Sequence, residues 1–449
     1  MSNLKIPCVL SSSIGVIMQK SNTWGRLKTP SQVSVSLKDL SDAHKVIRTS
    51  DKKGIPYGLG RSYGDVSLNP NGIVWATKDL DKFISFNDDT GLLCCESGVT
   101  LQSIQRVFVP RGWTLPVSPG TQMVTVGGAI ANDVHGKNHT SHGSFGNHVK
   151  EIVLMRTTGE IIECGPTENS AWFSATVGGL GLTGVILTAN IQLTKLTSPW
   201  MDTETLHFNN LEEFFYIHQS SNLDWEHTVS WIDPTSNKNR GFFMRGNPSA
   251  IDKPGKSISK PRSINFTPPF SLVNKYSYRP LNIAYYYKQK IRSPKKTIPY
   301  ESFLYPLDNL LNWNKLYGPN GFFQYQCLLP SEDGLNSLKA ILNSVRASGV
   351  SSFLNVLKIF GSHNSVGMLG FPKPGITIAI DFPNQGQKTN ILFESLDEIV
   401  SESGGRLYAA KDARMPSDLF KSGYPRFDEF LSYRDPGISS GFSQRIFGD

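Results

Sequence analysis

The sequence predicts a two-domain α+β protein. Its 449 residues exceed the roughly 150 that a single domain usually holds. Segments with helical spacing of apolar residues and segments with the alternating polarity of strands both occur along the chain. Near residues 196–200 the character changes, and aromatic residues become more frequent afterwards. The length gives two to three domains, and the change of character near residues 196–200 indicates where two of them meet.

Composition and charge exclude several classes of protein. Hydrophobic residues make up 39% and charged residues 18%, which fits a globular protein and excludes disorder and coiled coil. The net charge of +8 is too small for a chain of this length to indicate nucleic acid, so we expect no nucleic-acid partner. The positive charge would still favour the binding of an anionic substrate or an anionic lipid surface. Five cysteines without a CxxC motif suggest no disulfide framework or zinc site, and they fit a reducing compartment.

No segment resembles a membrane span or a secretory signal. The longest uncharged stretch, 177–194, is interrupted by four glycines. Residues 6–18 follow a single lysine and lack a small-residue cleavage site. We therefore expect a cytoplasmic protein that can associate peripherally with the inner membrane.

The first glycine-rich tract follows a predicted helix and strand. Residues 39–52 have helical spacing and are stopped by a Gly-Ile-Pro sequence, after which a short strand is expected. The segment 56–65, PYGLGRSYGD, then carries three glycines in seven residues. Such a tract can be an ordinary turn, or a nest of backbone N–H groups that surrounds a pyrophosphate. Strands are predicted at 72–77 and 91–97.

Two further glycine-rich tracts lie within the next 130 residues. A helix is predicted over 100–110 with Thr100 as its N-cap. The tract 119–146 follows, then two strands around a Thr-Gly turn within 150–163, the tract 177–184, and a strand over 185–194. Three tracts separated by regular strands suggest one large ligand that lies between them.

The second half of the chain predicts an antiparallel sheet with inserted helices. Amphipathic helices are expected over 332–347 and 389–402. The region 252–296, where basic and aromatic residues alternate, is predicted to form long loops. The predicted strands cover 228–233, 241–246, 322–329, 352–360 and 376–382.

Two motifs favour other functions only weakly. The residues Gly179, Gly181 and Gly184 match a dinucleotide fingerprint, but the segment that follows alternates as a strand, whereas the fingerprint must open a helix. Four histidines at 135, 139, 142 and 148 could suggest a metal, yet a glycine-rich loop does not fix ligand geometry. Two other interpretations of these histidines stay open. Their side chains can face a cofactor, or they can form hydrogen bonds within a loop.

Eight motifs are spread along nearly the whole chain. They are GLGRSYGD, PGTxxVTVGGAIAxDxHGKNH, GSFGNHV, ATVGGxGLTG, YGPxGFxQYQ, SFLNVxKxFG, DFP and GGRLYxAKDxR. These motifs closely resemble the FAD-linked oxidases of the vanillyl-alcohol-oxidase (PCMH) superfamily. Within that superfamily they look like the decaprenylphosphoryl-β-D-ribose oxidase family, whose members are the flavoprotein half of a 2-epimerase.

The resemblance implies a PCMH-type FAD-binding fold. The FAD domain would comprise residues 1–197 and a C-terminal return at 406–449, and a substrate domain built on an antiparallel sheet would comprise 198–405. The implied FAD-binding residues are Tyr57, Gly58, Leu59, Gly60, Arg61, Ser62, Tyr63, Gly64, Gly120, Thr125, Val126, Gly127, Gly128, Asn132, Asp133, His135, Ile186 and Tyr408.

The resemblance also implies a reaction and its catalytic residues. A secondary alcohol would be oxidised, which needs a base for the hydroxyl proton and positive charge near the reduced flavin. Lys411 is the main catalytic candidate, with His135 and Tyr63 as proton handlers. Many relatives bind FAD covalently through a histidine where this chain has Tyr63, so we expect non-covalent FAD.

The implied substrate is a sugar on a phosphate or lipid carrier. Its pocket would include Lys137, Gln324, Gln326, Lys358 and Thr377. In the mycobacterial pattern asparagine and cysteine stand where this chain has Thr377 and Ala379, which leaves the exact substrate open.

The family works with a separate NAD(P)H-dependent short-chain reductase, so a partner is expected. A same-fold oxidase that uses O₂ on free sugars, aldonolactones or a biosynthetic intermediate is the alternative. The basic aromatic stretch 275–296 fits either a lipid surface or a solvated loop.

Overall fold

The structure is a computed structural model, which describes residues 16–17, 23–27, 32–221, 224–250 and 261–448. The segment 6–18 that we tested as a secretory signal lies outside the described residues, apart from Val16–Ile17. Residues 252–260 of the predicted loop region also lie outside them.

The first glycine-rich tract lies at the end of a small mixed sheet. Helix α1 is amphipathic and is capped by the Asp39 side chain, which accepts from the backbone N–H of Asp42. The sheet order is β1-β2-β4-β3, and its last three strands are parallel. The elements are β1 Val16–Ile17, β2 Val33–Ser36, α1 Leu40–Arg48, β3 Gly54–Tyr57 and β4 Ile73–Ala76.

The second sheet carries the other two tracts. Its order is β5-β6-β10-β8-β9, and all its pairs are antiparallel. Thr100 caps α2, as the sequence predicts, and Thr125 caps α3 in the same manner. The elements are β5 Phe83–Asn87, β6 Leu92–Glu96, α2 Leu101–Phe108, β7 Trp113–Thr114, α3 Val126–Ala131, α4 His139–His142, β8 Val149–Met155, β9 Ile161–Cys164, α5 Ser170–Thr176, β10 Val185–Gln192 and β11 Thr194–Lys195.

A larger antiparallel sheet forms the centre of the second half. Within the described ranges it has eight strands in the order β16-β12-β14-β13-β19-β20-β18-β21. Its elements up to residue 402 are β12 Trp200–Phe208, α6 Leu211–Ser221, β13 His227–Ile232, β14 Gly241–Pro248, β15 Arg262–Ser263, α7 Tyr278–Ile291, β16 Lys295–Pro299, α8 Tyr300–Leu304, β17 Leu310–Leu311, β18 Phe322–Leu329, α9 Gly334–Ser348, β19 Asn355–Phe360, β20 Gly375–Pro383 and α10 Gln387–Glu402.

The prediction of loops over 252–296 was wrong for residues 278–291, whereas residues 264–277 form neither helix nor strand. Residues Tyr278–Ile291 form helix α7 instead. Its buried face consists of Tyr278, Asn282 and Tyr286, which repeat every four residues. Two are tyrosines and one is polar, so the apolar periodicity that identifies a helix is weak. Tyr286 packs with Trp231 and Phe242 of the large sheet.

The C-terminal segment contacts both halves of the molecule. Strand β21 (Arg406–Leu407) pairs with β18 at the edge of the large sheet. Ile438 then bridges to Gly54 in the first sheet. Three helices complete the segment: α11 Ser417–Gly423, α12 Phe427–Leu431 and α13 Gly441–Phe447. This path supports the expected return to the first domain, and the boundaries at 197 and 405 stay predictions.

The fold is α+β, as the sequence predicts. Strand β10 opens at Val185 directly after the tract 177–184, so the glycine fingerprint does not open a helix. In the part of the chain that the structure describes, no helix is both long and apolar enough to cross a bilayer.

Candidate active site

A long cleft between the two halves collects the three glycine tracts. It encloses about 2210 Å³ of empty space, including its open mouth. The first two tracts line one side, and Leu180, Gly181 and Gly184 of the third tract line the base. Strands β18 and β20 of the large sheet contribute Gln324, Gln326 and Ala379 from the opposite side. The tracts therefore meet at one site, which their spacing in the sequence suggests.

The first tract presents backbone donors to the cleft. Among the residues that the structure describes, the backbone N–H groups of residues 58–62 have no hydrogen-bond partner. Gly60 has a φ of +61°, a left-handed conformation that favours glycine. Consecutive free N–H groups with a left-handed turn form a concave site for an anion.

The second tract places polar atoms along the same cleft. Thr125 accepts from the backbone N–H of Gly128 through its hydroxyl, which fixes the turn into α3. Within the described residues, four buried polar atoms of the cleft lack a partner, and they are Ser67 Oγ, Ser97 Oγ, Asn132 Oδ1 and His135 Nδ1. A buried polar group without a partner is costly, so these atoms indicate a ligand that satisfies them.

His135 is held in a neutral state. Burial, followed by repulsion from nearby lysines, lowers the pKa of His135 well below its usual range. Gln326 Nε2 lies 3.1 Å from His135 Nε2. An amide nitrogen only donates, so the imidazole accepts at Nε2 and carries its proton on Nδ1. His135 thus presents an N–H to the cleft.

Two lysines line the cleft near His135. Burial lowers the pKa of Lys411 to about 8, which the Asp381 carboxylate opposes. Burial, followed by repulsion from Lys137 and Lys411, lowers the pKa of Lys358 to about 7. Lys358 Nζ donates to the backbone carbonyl of Gly136 at 3.2 Å. An anion bound between these lysines would favour their charged forms.

Asp381 lies behind this part of the cleft. Its carboxylate accepts from Gln324 Nε2 at 2.6 Å and from the Tyr317 hydroxyl at 3.4 Å. Burial raises the pKa of Asp381 to about 7, while the bond from Gln324 and the charge of Lys411 oppose the shift. The carboxylate therefore orients Gln324 and compensates part of the charge of Lys411.

The structure brings most of the predicted site residues together at the cleft. They are Tyr57, Gly58, Leu59, Gly60, Arg61, Ser62, Tyr63, Gly120, Thr125, Gly127, Gly128, Asn132, His135, Ile186, Tyr408, Lys411, Gln324, Gln326 and Lys358.

Five predicted residues do not line the cleft. Val126 and Asp133 belong to the second tract, but their side chains are buried away from the cleft. The Asp133 carboxylate accepts hydrogen bonds from Ser144, Gly146 and Ser365, which fixes the conformation of the tract. Lys137 Nζ donates to the carbonyl of Leu304 at 2.6 Å instead of reaching the cleft. The Thr377 hydroxyl accepts from Gln326 Nε2 at 3.3 Å, so Ala379 lines the cleft in its place.

Gly64 is the fifth of these residues, and it allows two segments of the backbone to pack closely against each other. A Cβ at this position would lie 1.6 Å from the carbonyl oxygen of Asp412. Only glycine therefore allows the first tract to lie directly against the C-terminal return. Asp65 strengthens the same contact through Arg445, which also pairs with Asp412.

The sequence reasoning missed the mouth of the cleft. Asp308, Leu310 and Trp313 line it, and none belongs to a predicted element. Asp308 accepts from the Thr121 hydroxyl at 2.6 Å and from the backbone N–H of Gln122 at 2.9 Å, which joins this segment to the second tract. An isolated acidic residue in a loop gives no periodic signal, so only the fold identifies it.

Comparisons with known proteins assign the class of this site. A family model described as "FAD binding domain" matches residues 34–165, which include the first two glycine tracts. With the antiparallel sheets and the cleft, this match defines an FAD-dependent oxidoreductase that acts on CH–OH donors.

Relatives place the chain more narrowly. A decaprenylphosphoryl-β-D-ribose oxidase from Mycolicibacterium smegmatis is 35% identical over 434 residues, which are 92% of each chain. The chain belongs to this oxidase family. An uncharacterised protein from Streptomyces coelicolor is 26% identical over 375 residues, 78% of this chain and 100% of that protein. A D-lactate dehydrogenase from Archaeoglobus fulgidus is 29% identical over 171 residues, 36% of this chain and 38% of that one.

The residues of the cleft fit FAD. The free N–H groups of residues 58–62 suit its pyrophosphate, and the partnerless Ser97, Asn132 and His135 atoms suit the polar edge of its ring system. A Cβ at Gly58 would lie 2.5 Å from Thr125 Oγ1, so glycine keeps the two tracts close together.

Proposed function

We propose that this protein oxidises a secondary ring hydroxyl of a pentose carried on a polyprenyl phosphate, which yields a keto sugar. The observation that carries the proposal is the pair of cleft lysines, Lys358 and Lys411, whose positive charges repel each other. The printed name of the M. smegmatis relative supports the same sugar and carrier.

The two lysines have different neighbours and so take different roles. Lys411 lies against Tyr63 of the first tract and follows Tyr408, so it faces the reacting end of the sugar and stabilises negative charge there. Lys358 lies on β19 in the large sheet, so it binds the phosphate of the carrier. Among the described residues neither lysine forms an ion pair with a carboxylate, and Asp381 compensates only part of the charge of Lys411, so both lysines can bind an anion.

Polar side chains of the large sheet orient the sugar. Gln324 is fixed by Asp381, and Gln326 is fixed between His135 and Thr377. Their positions in β18 differ by two, so both point to the same face of the sheet. The side-chain amides of Gln324 and Gln326, both fixed on one face of the sheet, can therefore bind neighbouring hydroxyls of the sugar ring.

The proton of the oxidised hydroxyl needs an acceptor. Burial raises the pKa of Tyr63 well above its usual range, so the phenol stays protonated at working pH and does not serve as the base. Asp381 has a pKa of about 7 and is held against the cleft residue Gln324, so we propose this carboxylate as the acceptor of the proton. His135 supplies an N–H to the cofactor side.

Residues within 57–63 and 120–135, together with Ile186 and Tyr408, would hold FAD, which would supply the acceptor for the hydride of the carbinol carbon. The Tyr408 hydroxyl donates to the carbonyl of Asn132 at 2.7 Å and its ring stacks on Phe371, so the C-terminal return closes one side of the cofactor cavity.

The proposal includes a partner. Oxidation gives a keto sugar, and a change of configuration then requires a hydride donor on the other face. The glycine fingerprint at 179–184 leads into a strand, so it supplies no nicotinamide site. We therefore propose that a separate NAD(P)H-dependent short-chain reductase completes the epimerisation.

Anaerobic flavin reduction tests the proposal. The FAD-loaded protein is mixed with free pentoses, pentose phosphates and polyprenyl-phosphate pentoses, and flavin bleaching is followed. We expect bleaching by the polyprenyl-phosphate pentose and a keto product by mass spectrometry. Bleaching by free sugars or aldonolactones, with peroxide formed in air, would favour the alternative oxidase. An epimer formed by this protein alone would contradict the partner.

A further inference from the structure

An unusual surface lies beside the mouth of the cleft. It is formed by residues 262–299, which we call the 262–299 surface. Large apolar side chains point outward here, with Phe266 66%, Tyr276 79% and Ile291 87% exposed. Soluble proteins rarely expose many such side chains in one region.

Helix α7 carries five of the nine large exposed apolar side chains of this surface. Its inner face, Tyr278, Asn282 and Tyr286, packs on the large sheet. Leu281, Ile283 and Ile291 are exposed on the rest of the helix, and the Tyr287 ring is half exposed. Helical spacing places Ile283, Tyr287 and Ile291 on one line, because they repeat every four residues. These side chains lie about 100° around the helix axis from the face that anchors it, and Leu281 lies about as far around on the other flank, so apolar side chains border the exposed outer face on both sides.

The charge of the 262–299 surface is of one sign. The segment contains eight lysines and arginines and no aspartate or glutamate: Arg262, Lys275, Arg279, Lys288, Lys290, Arg292, Lys295 and Lys296. Its charge equals the +8 of the whole chain, so the other residues sum to neutrality. The excess of positive charge is thus confined to the segment that exposes apolar side chains.

Charge and chemistry together select one occupant. Two copies of this chain would bring eight positive charges against eight, which disfavours self-association. Three of the five large exposed side chains of α7, Leu281, Ile283 and Ile291, are aliphatic and cannot stack on bases, which favours lipid over nucleic acid. An apolar helix face flanked by lysine and arginine is typical of a helix that lies in the interface of an anionic bilayer.

The surface is continuous with the cleft. Strand β15, at Arg262–Ser263, pairs with β17, at Leu310–Leu311, and both leucines line the cleft while remaining exposed. Leu272 donates its backbone N–H to Leu316 at 2.8 Å, which fixes the preceding loop to the same wall. A bilayer against the surface would therefore lie at the mouth of the cleft.

We propose that the 262–299 surface docks on an anionic lipid bilayer, with the outer face of α7 in the interface and the mouth of the cleft turned toward the lipid. Docking goes beyond the proposed function and does not depend on which sugar is oxidised. It allows a lipid-borne substrate to enter without leaving the membrane.

Vesicle sedimentation tests the proposal with the FAD-loaded full chain. Vesicles of phosphatidylcholine alone are compared with vesicles that also contain phosphatidylglycerol. We expect at least tenfold stronger partition to the anionic vesicles, and a decrease with salt. The double variant Lys288→Gln, Lys290→Gln should lower partition by about fivefold for each charge.

A triple variant tests the apolar face. Leu281→Ser, Ile283→Ser and Ile291→Ser together should lower partition at least tenfold, while FAD content and flavin reduction by a water-soluble substrate stay unchanged. The matched controls Tyr216→Ser, an exposed aromatic on α6, and Lys238→Gln should bind like the unmodified protein. Unmodified protein that stays in the supernatant, or a triple variant that still binds, would overturn the proposal. A solution dimer that the triple variant dissociates would assign the surface to a second copy.

Discussion

The ammonium group of Lys411 lies 3.9 Å from the centroid of the Tyr63 ring. The aromatic face attracts this cation, so the C-terminal return and the first glycine tract meet at the point where we place the reaction. Tyr63 is held in turn by an edge contact with Phe322 of the large sheet. Three separate parts of the chain therefore determine the position of one ammonium group.

Replacing Lys411 should separate cofactor binding from chemistry. We expect Lys411→Ala to keep FAD, since residues 58–62 hold its pyrophosphate, and to lower the rate of flavin reduction by substrate at least a hundredfold, because one charged donor is lost. Absorbance in anaerobic stopped flow measures both. Lys238→Ala, on an exposed turn, is the control. Full reduction of the Lys411→Ala flavin would disprove the role.

The carboxylate of Asp381 should set the pH range of the reaction. It raises the pKa of Lys411, which is about 8 and is therefore charged below that pH. Asp381→Asn removes this effect and also the proposed proton acceptor, so flavin reduction should become slower and its alkaline decline should move to lower pH. The rate is followed from pH 6 to about 9. Ser352→Ala removes the other hydrogen bond of Tyr317 without changing charge, and its profile should stay in place.

FAD should dissociate when the protein is denatured. Tyr63 stands at the position where many relatives carry the linking histidine, and its buried phenol stays protonated. Acid precipitation should leave a colourless pellet and all the flavin in the supernatant, as measured by fluorescence. A yellow pellet would show a covalent link.

Gly64 should be essential for folding. Gly64→Ala places a methyl group within bonding distance of the Asp412 carbonyl, so the tract and the return must separate. We expect the free energy of unfolding to fall by at least about 2 kcal/mol, measured in urea. Gly120→Ala is the control, because nothing lies within 4 Å of a Cβ there. Equal losses in both variants would contradict this reading.

His139 should make the protein sensitive to acid. Burial lowers the pKa of His139 to about 3, and both its ring nitrogens lack a partner among the described residues. Below about pH 6.5, His139 binds a proton in the unfolded chain but stays neutral in the folded chain. The free energy of unfolding therefore falls as the pH drops from 6.5 toward 3.

Replacing His139 by leucine should remove this dependence. We expect urea unfolding of His139→Leu to show a shallower loss of stability over that range, by up to about 1.4 kcal/mol per pH unit. His44→Leu, on helix α1, controls for the loss of a histidine as such. An unchanged slope for His139→Leu would show that this histidine does not control the acid response.

The sequence predicts those parts of the site that depend on the local chain. The three glycine tracts, Thr100 as a cap and Lys411 beside Tyr408 all carry their signal within a few residues. Asp308 could not be found in this way, because its importance comes from Thr121 and Gln122, nearly 190 residues away. Lys137 was placed in the pocket by its motif, but the carbonyl of Leu304 holds it elsewhere.

Helix α7 shows the opposite failure. The basic and aromatic residues were visible, and their interpretation as loops was wrong. A helix anchored by tyrosines and exposing isoleucines has no single apolar stripe, so its periodicity is hidden in the sequence. The same mixture that conceals the helix is the observation that supports a lipid-facing surface.

The C-terminal return imposes an order on biosynthesis. Tyr408 and Lys411 complete the cavity, and Arg445 holds Asp65 and Asp412 together across it. A nascent chain whose synthesis has not passed residue 445 therefore has three glycine tracts but no closed flavin pocket. Cofactor loading must be post-translational, and ribosome-bound chains should remain colourless.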